Sequence, residues 1–242
     1  WTSATKLIKE IGTTLANSGV HNEVEFIFVD DGSTEPIPTL ESLAKDGFEV
    51  TVLPLTSNVG HQLAIMAGLR YVQNEEFNQV IVMDSDGEDT AEGVIKLLAE
   101  SDSRPDAVVV AQRGVRSEKL AFRLMYNVHK LIFRTLIGKR LDFGNFVLLP
   151  KSAVTKIVNL ADSASHLPSS ILRSGLPIIR IRVDRGLRFF GESKMNFEKL
   201  VSHSFASLAV FSDQIMVRLM ILSFFTTVVT TVGIFAVIAT RV

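Results

Sequence analysis

Short apolar runs alternate along the chain with longer segments in which apolar residues recur at helical spacing. Runs that are apolar throughout, separated by helices, are typical of a parallel sheet covered on both faces. The predicted strands are 24–30, 48–53, 79–84, 107–111 and 145–149. The predicted helices are 2–17, 38–45, 59–73, 91–100, 119–137 and 152–160. The sequence therefore predicts an α/β fold.

The pattern changes towards the end of the chain. Residues 177–184 alternate, which predicts an outer or antiparallel strand. Residues 196–217 carry apolar residues at helical spacing, which predicts either an amphipathic helix on a membrane surface or an ordinary core-facing helix. Residues 219–240 contain no charge, and a helix of that length measures about 33 Å, enough to cross a bilayer. A buried core helix is the alternative for that last segment.

These patterns divide the chain into three parts: an α/β domain at 1–195, a juxtamembrane helix at 196–217 and a transmembrane helix at 218–242. The chain opens at Trp1 on a helical pattern with no initiator Met, so we expect it to be trimmed from a longer protein. Net charge is −1 without a long basic run, which argues against nucleic acid as a partner. The absence of cysteine excludes disulfides and thiolate metal sites.

Two adjacent carboxylates, Asp30 and Asp31, follow the first predicted strand. Ligands of α/β sheets bind beyond the carboxyl ends of the strands. A carboxylate pair at that place accepts hydrogen bonds from a nucleobase and a ribose. An ordinary Asp-Gly turn with Gly32 has the same sequence, and the residues alone leave both interpretations open.

A denser acidic cluster follows the strand predicted at 79–84. It consists of Asp84, Asp86, Glu88 and Asp89. Four carboxylates so close together repel one another, and this repulsion is tolerated mainly where a cation neutralises it. Oxygen ligands suit Mg²⁺ or Mn²⁺, which then bridges to phosphate. An EF-hand loop is excluded, because Asp89 replaces the sixth-position glycine and a strand precedes the loop. A solvated acidic turn remains the alternative.

Basic side chains later in the chain are candidate phosphate contacts, because arginine presents paired donors to phosphate. They are Arg113, Arg116, Arg123, Arg188 and Lys194. Taken singly, each is more typical of a solvated surface. Gly191 and Ser193 lie between the last two and indicate a loop over a ligand.

Several catalytic signatures are missing from the sequence. It has no Gly-rich dinucleotide fingerprint, no phosphate loop ending in Gly-Lys-Ser/Thr, no Gly-x-Ser-x-Gly elbow and no His-Glu-x-x-His helix. The five histidines are scattered, and among them His61 lies near a predicted strand end.

Six segments, in this order, resemble the motifs of the family 2 inverting glycosyltransferases, in the branch of dolichyl-phosphate mannose synthase and bacterial polyprenyl-phosphate glucosyltransferases. They are VDDGST (29–34), SNVGHQLAIMAGL (57–69), MDSDGED (83–89), AQRGVR (111–116), DFGNFVLL (142–149) and RFFGESKM (188–195). The resemblance implies a GT-A fold, with a Rossmann-like nucleotide-binding sheet, an interface helix and a transmembrane helix.

The resemblance also implies a role for particular residues. Those expected to bind the nucleotide are Asp30, Asp31, Ser33, Asn58 and Asp84. Those expected to hold Mg²⁺ or Mn²⁺ are Asp84 and Asp86 of the DxD motif. Those expected to face the acceptor phosphate are Arg113, Arg116, Arg188, Ser193 and Lys194. The catalytic candidates are Asp86, Glu88, Asp89 and Arg113.

The expected reaction moves a hexose from a UDP- or GDP-linked sugar to a polyprenyl phosphate at the cytoplasmic face of the cell membrane. A phosphate acceptor is ionised near neutral pH and needs no base. A sugar hydroxyl of a glycan or glycolipid would need one, and Asp89 or Glu88 would then serve. A non-catalytic membrane module that binds nucleotide sugars is a further alternative, and a soluble nucleotidyltransferase is disfavoured by the span. The sequence leaves the oligomeric state open, with a homo-oligomer among the alternatives.

Three departures from the family pattern matter. The family usually opens with a strand that this chain lacks. Glu88 replaces a glutamine that commonly follows the metal motif. Many relatives carry two or more spans, whereas one is predicted here. Arg218 and Arg241 bound that span on both sides, so charge decides its orientation only weakly.

Overall fold

A computed structural model describes residues 1–19, 23–39, 47–113, 120–160, 163–191 and 197–241, without the side chains of 113, 120–126 and 197. In this part of the chain the helices are α1 (Thr2–Ser18), α2 (His61–Val72), α3 (Ala91–Ser103), α4 (Leu120–Ile137), α5 (Lys151–Val158), α6 (Leu167–Ser174), α7 (Phe197–Ala209) and α8 (Ser212–Arg241). The strands are β1 (Glu25–Asp30), β2 (Glu49–Pro54), β3 (Gln79–Val82), β4 (Val108–Arg113), β5 (Val147–Pro150) and β6 (Ile178–Val183).

The strands form a parallel pair, β1–β2, and a four-stranded sheet in the order β3-β5-β4-β6. Strand β6 is the outer strand, as predicted, and runs parallel to β4. Strand β5 runs antiparallel to both β3 and β4, so the prediction of a parallel sheet is wrong at this strand. All four residues of β5 are buried, and continuous apolar character reports burial on both faces, not strand direction.

The four-stranded sheet separates two hydrophobic clusters, because successive side chains of a strand point to opposite faces. On one face, Val108 and Val110 pack with residues of α2, α4, α5 and α6. On the other face, Val109 and Ala111 pack with residues of α1 and α3. All four side chains are almost completely buried, so helices cover both faces, as predicted.

The segment predicted as one helix at 196–217 is divided in two. Helix α7 ends at Ala209, and α8 begins at Ser212 after Val210 and Phe211, both fully buried. These two apolar residues anchor the turn in the core. Helix α8 then runs for 30 residues, about 45 Å. It is long and apolar enough to cross a membrane, and its apolar window is exposed throughout, which excludes the buried-core alternative.

Helix α6 was not predicted, although its boundaries have recognisable signals. The imidazole of His166 accepts a hydrogen bond from the Ser169 N–H at the N-terminus, and Pro168 lies in the first turn. Gly175 ends the helix at φ 70°, a left-handed conformation that favours glycine. Histidine is an uncommon N-cap residue, which hides the start of the helix. The helix predicted at 38–45 lies outside the described residues from position 40 onward.

Candidate functional site

The loop after β1 is tied to the start of α2 through the carboxylate of Asp31. Its two oxygens accept hydrogen bonds from the N–H groups of Val59 and Gly60, at 2.7 and 3.0 Å. The carboxylate therefore lies at the positive end of that helix. The neighbouring Asp30 is buried, and its Oδ1 accepts a bond of 3.1 Å from the Ser33 N–H.

This loop also approaches residues 57–58 closely. The side-chain amide of Asn58 donates to the Asp31 carbonyl at 2.9 Å. Gly32 has φ 71°, and a Cβ placed there would lie 2.7 Å from the Asn58 nitrogen. The structure thus brings together the predicted nucleotide-binding residues of the first two motifs. Their hydrogen bonds join the loop after β1 to the loop before α2. Nucleotide binding by these residues stays a prediction.

The acidic loop, residues 84–89, follows β3 and is fixed by its own carboxylates. Asp89 is 1% exposed and accepts a hydrogen bond of 2.9 Å from the Asp84 N–H. The Oδ1 of Asp86 accepts one of 2.9 Å from the Glu88 N–H. Because Asp89 is buried and holds the loop backbone, its position favours a structural role over that of a base.

Residues 185–189, here called the arginine strap, lie against the acidic loop through backbone hydrogen bonds. The Gly186 N–H donates to the Glu88 carbonyl at 3.0 Å, and the Phe189 N–H donates to the Asp86 carbonyl at 2.7 Å. A Cβ on Gly87, whose φ is 90°, would lie 2.6 Å from the Phe189 ring. Glycine is therefore required where loop and strap touch.

Two arginines of the strap neutralise the acidic loop. Arg188 lies 2.8 Å from the Oδ2 of Asp86 and 3.5 Å from the Oε1 of Glu88, and Arg185 is paired with the Oε2 of Glu88. Burial lowers the pKa of Arg185, while the carboxylate of Asp86 raises it and the charge of Arg188 lowers it. Sequence reasoning missed Arg185; its spacing of three from Arg188 was the available signal. Arg188, predicted to face the acceptor, lies here beside the metal motif.

The remaining predicted acceptor residues cannot be placed with the others. Arg116, Ser193 and Lys194 lie outside the described residues, as do the side chains of Arg113 and Arg123. The backbone of Arg113 ends β4, at the sheet edge where the acidic loop follows β3. Their roles stay predictions.

The carboxylates of Asp84 and Asp86 suit a divalent cation that is shared with a diphosphate. The described residues contain no group of three His, Cys, Asp or Glu side chains that could enclose a metal. Mg²⁺ typically takes one or two carboxylates and completes its shell with substrate phosphate and water. Two carboxylate residues at a strand end fit that donor set, provided that Arg188 releases Asp86.

A second group of polar residues, which sequence reasoning missed, lies where α2, α4, α6 and α7 come together. This histidine cluster consists of His61, His129, His166 and His203. The Nε2 atoms of His166 and His203 are 3.1 Å apart, and their rings meet edge to face with centroids 4.6 Å apart. The Nε2 of His61 lies 2.8 Å from the Nδ2 of Asn145.

The cluster borders a cavity of about 120 Å³. Burial is the main cause that lowers the pKa of His203 to about 4, with smaller contributions from His61 and His129. Burial and the same neighbours, with His203, hold the pKa of His166 well below its usual value. Burial alone lowers that of His129. These three imidazoles are therefore neutral near pH 7.

Comparison with known proteins places this geometry in context. Residues 5–156 match glycosyl transferase family 2. An uncharacterized glycosyltransferase, YkcC, of Bacillus subtilis (strain 168) is 26% identical over 196 residues, covering 78% of this chain and 59% of that protein. An undecaprenyl-phosphate 4-deoxy-4-formamido-L-arabinose transferase of Edwardsiella ictaluri (strain 93-146) is 26% identical over 203 residues, covering 83% and 61%. The chain thus spans about 60% of the length of these relatives.

Solved structures share the fold. Glucosyl-3-phosphoglycerate synthase of Mycobacterium tuberculosis, in a complex with Mn²⁺, uridine-diphosphate-glucose and phosphoglyceric acid, superposes with a TM-score of 0.56 at 16% identity. The match covers 86% of this chain and 76% of that one. At this identity the likeness establishes the GT-A architecture and leaves ligands to be argued from residues.

Proposed function

The chain belongs to glycosyl transferase family 2, and on that premise we propose that it transfers a sugar from a metal-bound nucleotide sugar to a polyprenyl phosphate at a membrane. The observation that carries the proposal is the acidic loop at the carboxyl end of β3, where Asp84 and Asp86 lie two and four residues after Val82, the last residue of the strand. That edge of an α/β sheet is where ligands bind. The Edwardsiella ictaluri relative is named for transfer to undecaprenyl phosphate, which supports the same acceptor here.

On the donor side, Asp30, Asp31 and Asn58 would bind the nucleoside, and Asp84 and Asp86 would hold Mg²⁺ or Mn²⁺. The cation offsets charge that builds on the departing nucleoside diphosphate. Asp31 uses each oxygen once within the loop pair, and a carboxylate oxygen has capacity for a further bond. A nucleotide can therefore be accepted without dismantling the loops.

The positions of the two candidate bases, Asp89 and Glu88, favour a phosphate acceptor. A phosphate monoester is a dianion near neutral pH, with a second pKa of about 6, so it attacks without losing a proton. Asp89 is buried within its own loop and Glu88 is paired with Arg185, which leaves both poorly placed to take a proton. The attacking phosphate oxygen forms a bond to the anomeric carbon as the bond to the diphosphate oxygen breaks. Approach from the opposite face inverts the configuration.

Phosphate binding requires Arg188 to change its partner from a carboxylate to a phosphate. In the described state Arg188 neutralises Asp86. If Asp86 held a cation, Arg188 would no longer be needed to balance its carboxylate and would be free to pair with phosphate. The proposal therefore assigns Arg188, with Arg113, Arg116, Ser193 and Lys194, to phosphate binding once the donor is in place.

We propose membrane attachment from the exposed apolar surface of α8 and from the contacts between α8 and the rest of the domain. Its exposed apolar surface has no protein partner among the described residues, as a helix in lipid would. The Asp213 carboxylate pairs with Arg173 of α6 at 3.0 Å, and Arg218 donates to the Leu136 carbonyl of α4 at 2.5 Å. These contacts hold the catalytic domain at the start of the span.

Helix α4 offers a second membrane contact beside α8. Val128, Leu131 and Ile132 recur at i, i+3 and i+4 and are 47%, 67% and 41% exposed, which is the stripe expected of a helix in the lipid interface. The opposite face is buried through Phe133. Since nucleotide sugars are made in the cytoplasm, we place the domain on the cytoplasmic face of the cell membrane.

The proposal is tested by lipid extraction. The chain in detergent is incubated with MnCl₂ or MgCl₂, undecaprenyl phosphate and a panel of radiolabelled UDP- and GDP-sugars. Label should enter the organic phase with one donor, fail to do so with Asp86→Asn, and be unaffected by Asp102→Asn, an exposed carboxylate on α3.

Two other outcomes count against the proposal. If nucleoside diphosphate is released while label stays aqueous, the acceptor is a hydroxyl compound or water. If nucleotide sugar binds and nothing is released with any acceptor, the chain is a binding module.

A further inference from the structure

The arginine strap and the acidic loop run in opposite directions where they touch. The Gly186 N–H donates to the Glu88 carbonyl, and the Phe189 N–H donates to the Asp86 carbonyl, so residue numbers rise along the strap as they fall along the loop. Between two such segments, a slip of one residue changes which side chains face each other. The pair of Arg188 with Asp86 therefore depends on what fixes the register of the strap.

Phe189 is the apolar anchor of the strap. The other large apolar side chain of the strap, Leu187, is 91% exposed, so it contributes little packing. The Phe189 ring is half-buried and packs against the hydrophobic cluster that α1 and α3 form on one face of the sheet. It also adjoins Gly87, where a Cβ would lie 2.6 Å from the ring. The ring thus occupies a place that the glycine leaves open.

A cation from α1 also contacts this ring. The Nζ of Lys6 lies 4.3 Å from the centroid of the Phe189 ring, and a cation within about 6 Å of a ring centroid is attracted by the ring quadrupole. Lys6 pairs with Glu10, one helical turn further along α1, at 3.7 Å. The ring is therefore held by Gly87 on the loop side and by Lys6 on the side of α1.

Arg188 precedes this anchored residue directly. Its guanidinium lies 2.8 Å from the Oδ2 of Asp86, and its side chain is 28% exposed. A partly exposed ion pair contributes little stability by itself, and holding a long arginine side chain in one rotamer costs entropy. The pair with Asp86 is therefore too weak to fix the strap alone. Arg185, paired with Glu88, holds the beginning of the strap, whereas Phe189 holds its end, next to Arg188.

We infer that Phe189, held by Lys6, is a positioning residue that sets the register in which Arg188 reaches Asp86. The inference rests on the proposed function, since Asp86 is the metal candidate and Arg188 a phosphate candidate of that reaction. Phe189 acts through Arg188 and determines how far the Asp86 carboxylate is occupied before a metal binds. A loosened strap leaves that carboxylate less occupied, so a divalent cation meets less competition there.

A double-mutant cycle on Mn²⁺ affinity tests the inference. The affinity of the nucleotide-free chain in detergent is measured by calorimetry for wild type, Phe189→Leu, Arg188→Gln and the double variant. Phe189→Leu should raise the affinity by about twofold to fourfold, close to the effect of Arg188→Gln, because both changes relieve competition for Asp86. In the Arg188→Gln background, Phe189→Leu should change the affinity by less than about 1.5-fold, because no guanidinium is left to position.

Three further variants serve as controls for the cycle. Phe189→Tyr keeps the aromatic ring and should restore the Mn²⁺ affinity of wild type. Phe190→Leu makes the same substitution at the next residue, which is 56% exposed, and should leave the affinity unchanged. Lys6→Met keeps the length of the side chain and removes the cation, so it should raise the affinity by up to about twofold. Lys6→Met also decides the matter if Phe189→Leu does not fold.

The outcomes separate this inference from the proposed function. If Phe189→Leu leaves Mn²⁺ affinity unchanged or weakens it, or acts equally in both backgrounds, the inference is overturned while the metal site stands. If neither wild type nor Arg188→Gln binds Mn²⁺, the metal role of Asp86 in the proposed function is wrong. Thermal unfolding of the same four proteins then decides the inference. Phe189→Leu should lower the unfolding midpoint less in the Arg188→Gln background than in wild type, and equal decreases would overturn it.

Discussion

The acidic loop and the histidine cluster are two polar regions of this molecule in which buried polar groups are satisfied in opposite ways. In the loop, carboxylates are paired with the guanidinium groups of Arg185 and Arg188. In the cluster, burial and mutual repulsion keep His166 and His203 uncharged, and hydrogen bonds between neutral groups satisfy them. The first arrangement suits a cation and phosphates, and the second suits uncharged hydroxyl groups.

The comparison also teaches how each region responds to a partner. The carboxylates of the loop are already paired with Arg185 and Arg188, so a metal that bound there would compete with these arginines. A neutral cluster gains nothing from a charged ligand and offers directional contacts instead.

The largest expected effect comes from removing one charge of the loop. Asp86→Asn keeps the shape and removes a metal ligand, so sugar transfer should fall by about 100-fold to 1,000-fold, since a bound cation contributes several kcal/mol to charge stabilisation. Initial rates of label transfer measure this. A variant that retained more than a tenth of the activity would contradict a metal role for Asp86.

The contact between loop and strap is the next target. In Gly87→Ala the new Cβ meets the Phe189 ring at 2.6 Å, and overpacking of this kind costs about 1–3 kcal/mol. Gly191→Ala shares the left-handed backbone, with φ 73°, and meets no atom within 4 Å, so it controls for backbone strain alone. Thermal unfolding should show Gly87→Ala as the less stable of the two. Equal stability of the two variants would mean that the arginine strap moves away from the new Cβ with no loss of unfolding free energy.

Acid should destabilise the neutral cluster. The folded-state pKa of His203 is about 4, below the unfolded value of about 6.5, so the unfolded chain binds more protons between these values. Stability is then full above pH 6.5 and falls as pH drops towards 4. Between pH 7.5 and 5.0 this group accounts for about 2 kcal/mol of unfolding free energy.

Chemical denaturation of wild type and His203→Gln at the two pH values isolates that contribution. The neighbours that face His203 are His61, His129 and His166, and they titrate in both proteins. The variant should lose about 2 kcal/mol less than wild type on acidification. An equal loss in both would show that His203 is not held neutral by the fold.

The smallest expected effect is on metal affinity. Arg188→Gln removes the guanidinium that competes for Asp86, so Mn²⁺ should bind the nucleotide-free chain about threefold to fivefold more tightly, in keeping with a partly exposed pair worth up to about 1 kcal/mol. Arg180→Gln breaks a comparable pair with Asp142 and should leave Mn²⁺ affinity unchanged. Weaker Mn²⁺ binding by Arg188→Gln would contradict the proposal that a metal competes with Arg188 for Asp86.

Features encoded by adjacent residues could be predicted from sequence. The apolar runs predicted β1 to β5, and the alternating pattern predicted β6, each to within a few residues. The acidic loop could be recognised because its carboxylates are neighbours in the chain. Direction in β5 could not be predicted, because a strand buried on both faces has the same apolar pattern in either orientation.

The histidine cluster escaped prediction for a different reason. Its members come from α2, α4, the N-cap of α6 and α7, so no spacing in the chain relates them. The break between α7 and α8 escaped as well, because Val210 and Phe211 continue the apolar spacing of the helices around them. Tertiary packing alone shows that they turn inward.

The most direct test of sugar transfer to a polyprenyl phosphate is the mass of the lipid product. Undecaprenyl phosphate, the preferred nucleotide sugar and MnCl₂ are incubated with the chain, and the lipid extract is analysed by mass spectrometry. The account predicts the mass of undecaprenyl phosphate plus one sugar residue, with a single phosphorus retained and the product absent with Asp86→Asn. A lipid carrying a second phosphorus, or an unmodified lipid beside released nucleoside diphosphate, would contradict it.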